Sequence, residues 1–144
     1  MISAMDIDTQ SNESVIVTAH PPWYQQKQRI QTALGVDGNH IPQVNEITLS
    51  RYFKYLAENL IFPFTAHYPE PTNLLEEILY ECTVVKLLHP SEHAQNEFDG
   101  IFCKTWKADH EVDLPLVELE VSQDSPNFQI IEDYWYWLWN WRCR

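Results

Sequence analysis

A chain of 144 residues with 44% hydrophobic and 13% aromatic side chains has the length of one domain and enough apolar surface for a packed core, which excludes a wholly disordered chain. Its 21 acidic residues against 9 basic ones give a formal net charge of −12, which excludes nucleic acid and anionic membrane as partners and favours metal cations or a basic protein. Three widely spaced cysteines (Cys82, Cys103, Cys143) and a start without a basic, apolar leader fit reduced thiols in a cytoplasmic, monomeric protein rather than a disulfide framework.

Residues 1–20 are polar and aperiodic and are expected to form a flexible tail, leaving 21–144 as a single domain. Pro21-Pro22 opens a predicted helix with Trp23, Ile30 and Leu34 on one stripe, and Gly35 ends it. Asp37-Gly38-Asn39 signals a turn. A second helix follows, because Leu49, Tyr52, Phe53, Leu56 and Leu60 recur at the spacing of one helical face. Thr48 or Ser50 can cap its start, and Pro63 stops it.

From Phe62 the period changes. Phe62 to Tyr68 reads as a strand running into Pro69-Glu70-Pro71, and Tyr80 to Leu88, rich in β-branched residues, reads as another. Pro90 to Phe98 is a polar loop. Gly100 to Lys107 alternates and pairs with Glu111 to Leu119 across an Ala108-Asp109-His110 turn. Pro126 opens a closing aromatic helix in which Ile130, Tyr134, Trp137, Leu138 and Trp141 share a face, with Trp135 and Trp139 on another. The fold class is therefore α+β, with N-terminal helices, a small curled antiparallel sheet or barrel, and the closing C-terminal helix.

The charge is segregated. Between Glu70 and Asp133 fifteen carboxylates face three lysines (Lys86, Lys104, Lys107), so this one segment carries the whole net charge. Calcium takes six to eight oxygen ligands and relieves the repulsion of converging carboxylates. Glu118 and Glu120 alternate along the predicted strand and would leave one face; Asp124 follows in the loop, Glu132 and Asp133 open the closing helix, and Asp99 sits at the hairpin mouth. These six form the candidate metal set. The competing reading is a solvated acidic face that docks a basic protein without metal.

Asp109, Glu111, Asp113 and Glu120 match positions of an EF-hand loop, but Leu114 stands where that loop needs glycine and Pro115 follows, so the three hairpin carboxylates offer at most a second, weaker ion site. His89, His93, His110, Cys82 and Cys103 lack the paired spacing of a zinc site. With three glycines in the chain, no G-x-S-x-G motif and no phosphate loop, an enzyme is not expected.

Over residues 49–142 a set of short motifs in register resembles the cyanobacterial calcium-binding protein family: Phe62 to Ala66 after the Leu49–Leu60 helix, Val84 to Leu87, Asp99 to Ile101, Leu114 to Val121, Asp124 to Gln129, and Asp133-Tyr134 before the aromatic helix. The resemblance implies an SH3-like antiparallel β-barrel flanked by helices that binds calcium without an EF-hand, in a regulatory or buffering role. The ligand set itself rests on the spacing argument, not on the resemblance.

Overall fold

The computed structural model describes residues 22–142, so the expected tail over 1–20 and Cys143 lie outside the described residues. Helix α1 spans Pro22–Leu34 and buries Ile30, Ala33 and Leu34; Gly35 follows at φ 70°, the left-handed stop the sequence indicated. Trp23, expected on the inner stripe, is exposed and lines a surface groove with Ile41, Tyr136 and Trp141. It sits on the first turn of the helix, at the outer rim of this groove rather than in the core.

Helix α2, Glu46–Asn59, is started by Asn45. Its side chain accepts the Thr48 N–H at 3.0 Å while the Thr48 hydroxyl accepts the Asn45 N–H at 2.8 Å, a reciprocal cap that satisfies two otherwise unpaired donors. Thr48 is thus the third helical residue of the cap rather than the cap. Leu49, Tyr52 and Leu56 are buried as the periodicity requires. The Phe62–Pro63 peptide is cis where the chain turns toward the sheet.

Four strands follow: β1 (Phe64–Pro71), β2 (Glu77–Leu87), β3 (Phe102–Lys107) and β4 (His110–Pro115), each antiparallel to the next in the order β1-β2-β3-β4. In the β3–β4 hairpin Lys107 pairs with His110, which leaves a two-residue turn with Ala108 at φ 59°. The strand that was expected to continue to Leu119 stops at Pro115. There Leu116 donates to the Ile101 carbonyl at 2.9 Å and the chain tightens into a 3₁₀ turn, Leu116–Glu118. Glu120 then exchanges two 2.8 Å backbone bonds with His67 of β1. One bridge does not make a ladder, so the sheet stays open where a closed barrel was expected.

Helix α3, Phe128–Asn140, buries Ile131, Tyr134, Trp137 and Leu138, while Trp135 and Trp139 lie side by side on its exposed face, 6.0 Å between rings. Tyr52 of α2 packs on Trp137 and Tyr134 at ring distances of 4.9 and 5.2 Å, and the Trp137 indole donates to the Pro42 carbonyl at 3.0 Å. The buried Asn127 side chain pairs with both backbone groups of Ile61 at 2.9 Å, which fixes the start of α3 beside the turn into β1. Among the described residues no helix is long and apolar enough to cross a membrane.

Candidate metal centre

The six candidate carboxylates do not converge. The structure sorts them into two neighbouring pairs and two singletons, and among the described residues no three His, Cys, Asp or Glu side chains stand close enough together to hold a metal ion.

The first pair is Asp99 and Glu118. Asp99 is held by a turn in which the Asn96 side chain accepts the N–H groups of Phe98 and Asp99, both at 2.8 Å, and donates to the Asp99 carboxylate at 3.1 Å. The next residues are fixed from inside: the buried Tyr134 hydroxyl of α3 accepts the Ile101 N–H at 2.8 Å. Because Ile101 also accepts from Leu116, the 3₁₀ turn carrying Glu118 is anchored beside the loop carrying Asp99. Partial burial, and then the Asp99 charge, raise the Glu118 carboxyl above its usual range; a hydrogen bond from the Tyr68 hydroxyl opposes them. Among the described residues no ion pair engages either carboxylate. Two like charges with no cation between them form the electrostatic arrangement that a divalent ion relieves.

The second pair is Glu120 and Glu132, both on the rim of a groove of about 270 Å³ whose walls are apolar: Leu119, Val121, Phe128, Ile131 and Trp135. Glu120 does not share a strand face with Glu118, because the chain has already left β4 for the 3₁₀ turn. Asp124 stands alone on an exposed loop, its N–H bonded to the Ser122 hydroxyl at 3.2 Å.

Of the six candidates, Asp133 is the one held in an ion pair among the described residues. It is buried, and both its oxygens are committed: Arg29 of α1 binds them at 2.7 and 3.1 Å, with Gln26 and Gln129 at 3.1 and 3.0 Å. Asp133 therefore locks α3 to α1, its oxygens taken up by Arg29, Gln26 and Gln129. The EF-like residues of the hairpin are also engaged in part, since Glu111 pairs with Lys104 at 3.4 Å and Asp109 with His110 at 3.5 Å. Cys82 and Cys103 are buried thiols bonded to the Ala66 and Leu114 carbonyls, and His93 stacks on Phe102, far from a zinc arrangement.

The residue missed at the sequence level is Tyr68. Its phenol faces Glu118, and the alternation Phe64, Ala66, Tyr68, Glu70 along β1 was the available signal, with buried Ala66 marking the inner face. The oxygens of Asp99, Glu118 and Tyr68 fit a hard cation, and none of the three is a soft ligand that would select zinc or copper.

A family model described as calcium binding, that of the CcbP proteins, matches residues 28–138. No curated protein matches the chain. Two solved structures share its fold. The crystal structure of Anabaena CcbP superposes with a TM-score of 0.60 at 18% identity, covering 85% of this chain and 95% of that one. A calcium-binding protein in its calcium-binding form superposes at 0.61, also with 18% identity, covering 83% and 94%.

Proposed function

The chain belongs to the CcbP family of calcium-binding proteins, and from that premise we propose that it binds calcium reversibly at the Asp99–Glu118 edge, in a buffering or regulatory role. The observation that carries the placement is the unneutralised approach of these two carboxylates, with Glu118 raised by partial burial and by the charge of Asp99. Two carboxylates supply a minority of the six to eight oxygens calcium takes, so water completes the shell. Glu118 is exposed as a whole residue, its carboxyl screened from water only in part, and Asp99 is half-buried. A site open to solvent exchanges its ion readily, as a buffer or sensor must. Glu120, Glu132 and Asp124 add to the negative charge of the same acidic segment without joining the pair.

Calorimetric titration tests the placement. Asp99→Asn and Glu118→Gln should each weaken calcium binding about tenfold or more, which is about 1.4 kcal/mol. Glu120→Gln and Glu132→Gln should each cost less, and Glu76→Gln, out on the β1–β2 turn, nothing. Equal losses in all five would leave only a diffuse field and refute the site.

The raised Glu118 carboxyl gives a second expectation. Folding favours its protonated form, so in the calcium-free protein its stabilising contribution is present at low pH and is lost as pH rises through the raised value. Calcium takes the ionised form. Affinity should therefore decline on acidification, starting at higher pH than a solvated carboxylate would allow, with proton release on binding in that range. Titrations across pH in buffers of different ionisation enthalpy read this directly. If Glu118→Gln leaves the profile unchanged, another group is titrating.

A further inference from the structure

We propose that the arm formed by the ends of β1 and β2 is a docking edge that takes an extended segment of another protein, apolar at its centre and basic at its ends, as an added strand. The register carries the argument. β1 pairs with β2 from Phe64↔Val84 out to Pro71↔Glu77, but β3 pairs with β2 only from Cys82↔Lys107 inward. Beyond Lys107 the chain turns away, so residues 77–81 have a neighbouring strand on one side only. On the other side alternate N–H and C=O groups face outward, a row that an incoming backbone can satisfy.

The two long edges of the arm are treated differently by the sequence. The outer edge of β1 carries Pro69 and Pro71, which donate nothing, and His67 is already bridged to Glu120. The free edge of β2 has neither proline nor lysine over Glu77-Ile78-Leu79-Tyr80-Glu81. Its apolar side chains stand in water: Ile78 and Leu79 are about half exposed, and Leu75 at the tip is 93% exposed. The tip is a built turn. Thr72 donates to the Glu76 carbonyl at 3.0 Å, Leu75 to the Asn73 side chain at 2.8 Å, and Asn73 to the Glu76 carboxylate at 3.1 Å. Leu74 and Leu75 are thus displayed outward on a tied frame, two adjacent leucines in water at the end of the open edge.

Charge selects the occupant. Glu76, Glu77 and Glu81 have no cationic partner in any ion pair among the described residues, while Lys107, lying over Tyr80, is already matched by Glu70. Glu77, Leu79 and Glu81 share one face, so the complementary strand has a lysine or arginine at each end and an apolar centre. A second copy fits poorly, because antiparallel self-pairing about Leu79 sets Glu77 against Glu81 at both ends. A lipid surface offers nothing to the open backbone row, and anionic headgroups are repelled.

The test uses the full chain, ¹⁵N-labelled, titrated with the synthetic peptide acetyl-Lys-Thr-Val-Thr-Lys-amide, which sets valine opposite Leu79 and a lysine opposite each of Glu77 and Glu81. Saturable amide shifts over residues 77–81 are expected. The Glu-for-Lys peptide should bind at least tenfold more weakly, and the peptide N-methylated at alternate residues should not bind. In Glu77→Lys/Glu81→Lys, an exposed double change that leaves the core alone, the preference between the two charged peptides should reverse. Absence of saturable shifts overturns the proposal, as does binding that survives N-methylation. Dimerisation in analytical ultracentrifugation, or flotation with phospholipid vesicles, that is lost in Leu74→Asp/Leu75→Asp would assign the arm to a second copy or to a membrane, and would equally overturn it.

Discussion

Alanine in place of Gly100 is expected to lower the unfolding free energy by about 3 kcal/mol, as the joint cost of a left-handed alanine and an overpacked contact. Gly100 is buried at φ 67°, and a Cβ there would strike the Tyr134 hydroxyl and sit 3.0 Å from a Leu138 methyl. Neither neighbour can retreat cheaply. Tyr134 is fully buried, and its hydroxyl oxygen is pinned by the Ile101 N–H at 2.8 Å. Urea unfolding measures the loss. The same clash predicts non-additivity: Tyr134→Phe orphans the Ile101 donor in the parent, at about 1–3 kcal/mol, but removes the obstructing atom in the Gly100→Ala background and should cost clearly less there. Additive costs would show that the backbone strain at residue 100 acts alone. Because Gly100 joins Asp99 to Ile101, Gly100→Ala should also weaken calcium binding at temperatures where the variant remains folded.

Removing the Asp133 carboxylate should cost nearly as much stability and leave calcium binding intact. Asp133→Ala strips the partner from Arg29 and leaves the amides of Gln26 and Gln129 seeking acceptors. Deleting one member of a fully buried pair costs about 3–5 kcal/mol; Arg29 is 39% exposed and regains water, so about 2–3 kcal/mol is expected here. Asp133→Asn keeps the shape and can still accept from Arg29, and should lose less. Calorimetric titration of the folded Asp133→Asn protein should return the parent calcium affinity. A tenfold loss would mean that Asp133 leaves Arg29 to take the ion, and would restore it to the ligand set.

Gly100 and Asp133 both take their importance from neighbours far off in sequence. For the elements themselves, local signals were enough. Leu49, Tyr52 and Leu56 share a face because a helix repeats every 3.6 residues, and Tyr134, Trp137 and Leu138 lie inward for the same reason. The α+β class, the β3–β4 hairpin around Ala108 and the placing of Trp135 and Trp139 on a face apart from Trp137 were equally legible, since each depends on residues within a few positions of one another. The acidic bias of the second half, and with it a preference for cations, is a property of composition that no folding can alter.

The meeting of carboxylates is different, because it depends on where the chain bends. Glu118 and Glu120 would have shared a face on a strand. Instead the Leu116–Ile101 hydrogen bond ends the ladder at Pro115, the 3₁₀ turn rotates Glu118 toward Asp99 and Tyr68, and Glu120 is drawn to β1 by His67. Asp133 has the same chemistry as Glu132 beside it, yet one is locked to an arginine 104 residues away and the other is exposed on a groove rim. The sequence determined how much negative charge this protein has and which elements carry it. The tertiary structure decided which charges are neutralised, because electrostatic partners are chosen by distance in space across residues that no local period connects.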